Sequence, residues 1–109
     1  MPFLRRKQNA AQQAEALCEP LATLIADTQA RQRVCVCGKV VRMTARPTAG
    51  QPALAVSISD ETGTVTAVWT GRRAIGGITL GRRIAIDGVP VMHGDHLEFT
   101  NPGYTLLPR

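Results

Sequence analysis

Short segments with the period of a β-strand, separated by glycine-containing turns, occupy this sequence from Arg33 to Leu107. In Leu54 to Ile58, for example, large apolar side chains alternate with small or polar ones, as in a strand with one buried face. Because a small sheet with free edges tends to pair with other chains, such a set of short strands favours closure. The sequence therefore predicts a mainly β domain built as a small five-stranded barrel.

Five strands are predicted, and their anchoring residues are Val34 to Met43, Leu54 to Ile58, Val65 to Thr70, Ile84 with Ile86, and Leu97 with Phe99. Gly38 lies inside the first strand, where a glycine predicts a β-bulge or a close backbone approach. The stretch Asp60-Glu61-Thr62-Gly63 predicts a turn, since glycine can adopt positive φ. We read Asp60 and Glu61 as part of that turn rather than as a catalytic pair.

The chain before Arg31 has a different period. Apolar residues recur there at steps of three and four, which predicts an amphipathic helix; they are Ala14, Leu17, Cys18, Leu21, Leu24 and Ile25. Pro20 lacks an amide hydrogen, so a kink or two shorter helices are expected. We divide the chain into a tail with a short helical segment, residues 1–31, and a barrel domain, residues 32–109. The apolar stripe could pack on the barrel or on a second copy of the chain.

Charge and cysteine content limit the class of protein. Thirteen basic against eight acidic side chains give a net charge of +5, which attracts phosphates or an acidic surface, although such a charge can also serve solubility alone. Three cysteines without zinc-type spacing disfavour a disulfide framework, so we expect a reducing, cytoplasmic location. The residues after Lys7 are polar, and no segment is apolar enough to span a bilayer, so neither a signal peptide nor a membrane partner is expected.

A metal site is the main enzymatic alternative. Cys35, Cys37, His93 and His96 could together supply four zinc ligands. Paired cysteines in structural zinc sites are usually separated by two or more residues, however, so free cysteines are the favoured interpretation. No serine, histidine and acid have a spacing that indicates nucleophilic catalysis. We therefore expect a protein that is not an enzyme and that needs no metal or other cofactor.

A series of short motifs in a fixed order resembles the OB-fold of nucleic-acid-binding proteins, and more narrowly the wedge domain of RecG-type branch-migration helicases. The motifs are Val36-x-Gly38-x-Val40, Ser59-Asp60-Glu61-Thr62-Gly63, a β-rich run ending at Trp69, Leu80-Gly81 with Ile86-x-Gly88, and Asn101-Pro102-Gly103-Tyr104. The resemblance covers Arg33 to Leu107 and implies a five-stranded Greek-key OB-fold barrel. No G-x-x-x-x-G-K-[ST] phosphate loop is present, so the resemblance implies binding without an ATP-driven motor.

The residues expected to bind nucleic acid lie at strand ends and in the first long loop. They are Lys39, Arg42, Arg46, Arg72, Arg73, Arg82 and Arg83, with Trp69 as a platform for base stacking. Core packing is the alternative for Trp69, and solvated strand ends are the alternative for the arginine pairs.

Four aromatic residues are too few for extensive stacking, so we expect sequence-tolerant binding of the backbone. The predicted ligand is single-stranded or junction DNA rather than RNA, with a role in DNA repair or recombination. The alternative is an assembly module in which the barrel and the helix stripe around Leu17, Leu21 and Leu24 bind a protein partner or a second copy, without nucleic acid.

Overall fold

A computed structural model describes residues 22–47 and 49–108 of the chain. A short 3₁₀ helix, Ile25–Asp27, is followed by seven strands. The strands are β1 (Val34–Ala45), β2 (Ala53–Ser59), β3 (Thr64–Thr70), β4 (Arg83–Gly88), β5 (Val91–His93), β6 (His96–Thr100) and β7 (Gly103–Leu106). Within the described ranges, no helix is long and apolar enough to span a membrane.

All seven strands belong to one sheet with the order β5-β6-β3-β2-β1-β4-β7. Every pair is antiparallel except β3 with β6, which is parallel. β4 pairs with β7, and β5 pairs with β6, so the two ends of the sheet are two halves of one long hairpin. Val89-Pro90 and Asn101-Pro102 interrupt that hairpin, because proline cannot donate to a strand ladder.

The mainly β prediction is confirmed, but five strands closed into a barrel is wrong. The sheet has seven strands, and no ladder joins its end strands β5 and β7 among the described residues. The prolines explain the difference in number, since each divides one predicted strand or its continuation into two. Closure by hydrogen bonding is replaced by covalent continuity, as the chain passes directly from β4 to β5 and from β6 to β7.

The inner face of the sheet surrounds one hydrophobic core. Its fully buried side chains come from β1, β2, β4 and β6 and include Val36, Val40, Val56, Ile58, Ile84, Ile86 and Phe99. The alternation expected from the sequence is present in β2, where Leu54, Val56 and Ile58 are buried and the residues between them are partly exposed. Burial of this alternating set defines which side chains remain on the outer face.

Gly38 and the bulge are separate features. A Cβ atom at Gly38 would lie 2.7 Å from both the Ile58 Cγ2 atom and the Ser59 carbonyl oxygen. The predicted close backbone approach is therefore confirmed. The register shift in β1 occurs between Val40 and Arg42 instead, so the bulge lies beyond the glycine.

The predicted amphipathic helix falls mostly on residues 1–21, which lie outside the described residues. In the described continuation, only Ile25–Asp27 is helical, and Ile25 is buried in the core. The Thr23 amide donates a hydrogen bond to the Cys35 carbonyl oxygen at 2.8 Å. The residues just before the sheet therefore pack on it.

Candidate nucleic-acid interface

Two cations face each other on the outer side of neighbouring strands. Lys39 in β1 pairs with Arg83 in β4, and on its other side with Ser59 in β2. Val40, the neighbour of Lys39, is buried in the core, whereas Lys39 is exposed. Like charges at directly opposed positions repel each other, and an anion bound between them would relieve that repulsion.

The bulge in β1 adds a third cation to this face. In a regular strand, residues three positions apart point to opposite faces. Because the register shifts between Val40 and Arg42, Arg42 pairs with the outward residue Ser57 and lies on the same outer face as Lys39. We call Arg83, Lys39 and Arg42 the basic row. The sequence analysis named all three residues but gave no signal that Arg42 would join the other two.

Short hydroxyl side chains cover the sheet beside the basic row. Ser57 pairs with Thr66, and Ser59 pairs with Thr64, on the outer face of β2 and β3. We call these four residues the hydroxyl floor. Serine and threonine hydroxyls commonly donate to phosphate oxygens, and small side chains allow a polymer to approach the sheet closely. A basic edge beside such a surface suits an extended polyanion.

Arg46 has a different environment from the basic row. Its guanidinium donates to both carboxylate oxygens of Glu98, with Nη1 to Oε2 at 2.9 Å and Nη2 to Oε1 at 2.8 Å. The Glu98 side chain is only 7% exposed, and the Arg46 side chain is 35% exposed. His96 lies close by, with its Nε2 atom 3.8 Å from Glu98 Oε2. The bidentate pair fastens the β1–β2 loop to β6, so much of the capacity of Arg46 is already used inside the protein.

The remaining predicted arginines lie in or beside the β3–β4 connection. Arg72 and Arg73 are exposed just after β3, where the Gly71 amide donates to the Pro52 carbonyl oxygen at 2.7 Å. Arg73 therefore lies beside the β1–β2 loop and lines a cleft there. Arg82 is half-buried, and its Nε atom is buried without a hydrogen-bond partner among the described residues.

Trp69 lies in the core. It is 6% exposed, its indole Nε1 donates to the Pro102 carbonyl oxygen at 3.2 Å, and its ring meets that of Tyr104 edge to face, with centroids 5.7 Å apart. This environment matches the core-packing alternative and leaves no open ring face for a base. Phe99 is buried, and the Tyr104 hydroxyl donates to the Gly76 carbonyl oxygen. No aromatic ring of the described chain thus belongs to the basic row or the hydroxyl floor.

The four residues considered as zinc ligands do not form a common site. Cys35 and Cys37 pack on the outer side of β1 with Ala85 and Leu107, whereas His93 and His96 belong to the β5–β6 hairpin. Across residues 22–47 and 49–108, no group of three or more histidine, cysteine or acidic side chains is arranged to hold a metal ion.

Comparison with solved structures identifies the fold. The chain is similar to a replication factor A-related protein from Methanobacterium thermoautotrophicum, with a TM-score of 0.63, 20% identity, and coverage of 79% of this chain and 90% of that one. It is also similar to the OB domain of a Methanosarcina mazei protein, with a TM-score of 0.63, 16% identity, and coverage of 81% and 84%. A third similar structure is that of yeast Stn1 and Ten1, with a TM-score of 0.56, 13% identity, and coverage of 71% and 43%.

These similarities show that the domain has an OB-like fold, as the sequence motifs predicted. The narrower resemblance to the RecG wedge domain is not shown by them. No family model matches the chain, and no curated protein matches its sequence.

Proposed function

We propose that this protein binds single-stranded or junction DNA, holding the phosphate backbone on the basic row and the hydroxyl floor. The observation that carries the proposal is the bulge between Val40 and Arg42, which aligns Arg42 with Lys39 and Arg83 on one outer face. Three cations on neighbouring strand positions match a chain of regularly spaced phosphates. The absence of an aromatic ring from this face, as described, favours contacts to the backbone over contacts to bases.

Two further points favour DNA as the ligand. One of the similar structures is described as replication factor A-related. The sequence motifs between Ser59 and Tyr104 resemble a wedge domain that acts on branched DNA, and from them we infer a role in repair or recombination. Because fold alone does not determine function, the ligand has to be tested directly.

The test is fluorescence anisotropy of a labelled oligo(dT), titrated with protein over a range of salt concentrations. Changing both Lys39 and Arg42 to Gln should weaken binding and reduce the slope of log affinity against log salt by about 1.4, since each lost phosphate contact on a single strand is worth about 0.7. A junction, a duplex and an RNA of equal length, added as competitors, rank the ligand classes.

The matched control changes Arg31 and Arg33 to Gln. Both residues are exposed, precede or begin the β1 region, and lie outside the basic row. The control removes the same charge, so it should leave the slope close to that of the unchanged protein. Equal effects of the two double variants would assign binding to net charge alone, and no binding at low salt would reject the proposed function.

An assembly function is the second candidate, and one observation favours it. Val89, Val91 and Met92 are large apolar side chains that are exposed at or beside the end strand β5. Exposed apolar groups at a sheet end can mark a protein contact. Light scattering with and without oligonucleotide separates the two candidates, because a stable oligomer that ignores the oligonucleotide would support assembly. The helix stripe proposed for this role lies mostly outside the described residues.

A further inference from the structure

A cleft of about 480 Å³ opens between the ends of β1 and β2 and the start of the β3–β4 connection. Its lining is apolar apart from one amide and one cation, and consists of Ala45, Pro47, Gly50, Gln51, Pro52, Ala53 and Arg73. The volume lies within the range of about 300–1,000 Å³ that is typical of small-molecule sites. None of the residues of the basic row or the hydroxyl floor lines it.

The walls of the cleft are held in place before any ligand arrives. The Arg46 amide donates to the Ala53 carbonyl oxygen at 2.9 Å, and the Gly71 amide donates to the Pro52 carbonyl oxygen at 2.7 Å. The Arg46 side chain is fastened to the buried carboxylate of Glu98. Proline rings at 47 and 52 further restrict the backbone on both sides. A ligand would therefore lose little affinity to ordering the loop.

The chemistry of the lining indicates one class of occupant. Proline rings and alanine methyl groups offer flat apolar contacts, while the Gln51 amide can both donate to and accept from a polar edge. The Arg73 guanidinium is suited to a phosphate or to the face of a planar ring. A nucleotide unites a flat base, a polar base edge and a phosphate, and so satisfies all three.

We propose that this cleft takes one nucleotide of a bound strand, with the base between the prolines and the phosphate on Arg73. The inference rests on the proposed function. Ala45 ends the same strand that carries Arg42, three residues along and therefore roughly 10 Å away. A strand lying on the basic row can cover that span within a few nucleotides. The cleft thus supplies the base contact that the outer face lacks.

The test uses oligo(dT) with a single 2-aminopurine, placed at successive positions in a set of otherwise identical strands. One position should change its fluorescence on binding, because its base leaves a stacked or solvated environment for the cleft. Ala45→Phe fills the cleft and should remove that change. It should also weaken binding about fivefold or more, the loss expected for one base contact. Ala74→Phe is the matched control, because Ala74 is exposed, adjoins Arg73 and does not line the cleft.

The phosphate contact is tested separately. Arg73→Gln should weaken binding and reduce the salt slope by about 0.7, more than Arg72→Gln, which makes the same change one position away. If oligo(dT) binds with the expected salt slope but no 2-aminopurine position responds, the cleft inference is overturned while the proposed function stands. Equal effects of Ala45→Phe and Ala74→Phe, or of the two arginine variants, would also overturn it. If oligo(dT) does not bind at low salt, both fail.

Discussion

At the scale of single residues, the contrast between Arg42 and Arg46 shows how neighbouring cations acquire different roles. Both were predicted to contact nucleic acid from the same strand and loop. Arg42 lies on the outer face because of the bulge, whereas Arg46 forms a bidentate pair with the nearly buried Glu98. The second arrangement makes Arg46 a positioning residue for the β1–β2 loop. Its partner lies 52 positions away in sequence, so no local pattern could reveal it.

Removing one member of this pair should destabilise the protein. Arg46→Met leaves the Glu98 carboxylate in a largely dry site without its two strong donors, and should cost about 2 kcal/mol in free energy of unfolding. Urea denaturation followed by circular dichroism measures the loss. Combining Arg46→Met with Glu98→Leu should restore part of it, because the second change removes the stranded charge.

Arg33 supplies the control for that measurement. It also forms an ion pair, to Asp87 at 3.0 Å, but the two side chains are 73% and 49% exposed. Exposed pairs contribute little, so Arg33→Met should change stability by less than about 1 kcal/mol. An Arg46→Met effect no larger than that of Arg33→Met would contradict the structural role assigned to Arg46.

At the scale of elements, the β2–β3 turn also anchors the segment before the sheet. One Asp60 oxygen accepts hydrogen bonds from the Thr62 hydroxyl and from the amides of Thr62 and Gly63, which closes the turn. The other accepts from the Ile25 amide at 2.9 Å, and the Ala26 amide donates to the Thr62 hydroxyl at 3.0 Å. Sequence reasoning identified the turn correctly. It could not identify the second attachment, which depends on the chain before the sheet returning to this turn.

The pKa of Asp60 makes this attachment sensitive to acid. Partial burial alone would raise the pKa, but the hydrogen bonds from Thr62, Ile25 and Gly63 outweigh it and lower the pKa below the ordinary value of 3.8. A carboxyl group whose pKa is lowered by folding stabilises the native state above its unfolded pKa. That contribution is lost as the pH falls through the native pKa.

We therefore expect the stability advantage of the unchanged protein over Asp60→Asn to be constant from neutral pH down to about 4 and to shrink below it. At neutral pH the advantage should be about 1 kcal/mol, since an asparagine amide nitrogen cannot accept the hydrogen bonds it replaces. Urea midpoints at a series of pH values measure it. Glu61→Gln, the neighbouring exposed carboxylate, is the control, and an advantage that stays constant into strong acid would refute the assignment.

At the scale of the whole molecule, one hydrophobic core connects the strands, and the two ends of the sheet are halves of the same hairpin. Trp69 lies in this core, and its indole is bonded to Pro102 in the second hairpin break. A change at this position should therefore report on the packing of the domain as a unit. The basic row lies on the opposite face of the sheet from the core, with strand backbone in between.

Trp69 fluorescence should consequently follow folding and not nucleic-acid binding. In urea, its emission should shift to the red with the same midpoint as the far-ultraviolet circular dichroism signal, as a two-state domain requires. Saturating oligo(dT) should leave its emission almost unchanged, even when anisotropy shows complete binding. Strong quenching by oligo(dT) under native conditions would place Trp69 in contact with bases and return it to the site.

The sequence by itself determined the features that depend on near neighbours. Strand alternation identified β1, β2, β3, β4 and β6 by their buried residues, and turn chemistry identified Asp60 to Gly63, because side-chain direction and φ preference act over a few residues. The order of motifs indicated the OB-fold. The positions of the cations in sequence also marked Lys39, Arg42 and Arg83 as candidates.

Only the tertiary structure decided which of those candidates share a face. The site of the bulge depends on how β1 pairs with β2 and β4 along its length, and that register is a sum of contacts between distant residues. The same holds for the division of the last hairpin at Pro90 and Pro102, for the attachment of Arg46 to Glu98, and for the burial of Trp69. Each depends on the partner that a residue meets across the sheet, and a local pattern carries no information about that partner.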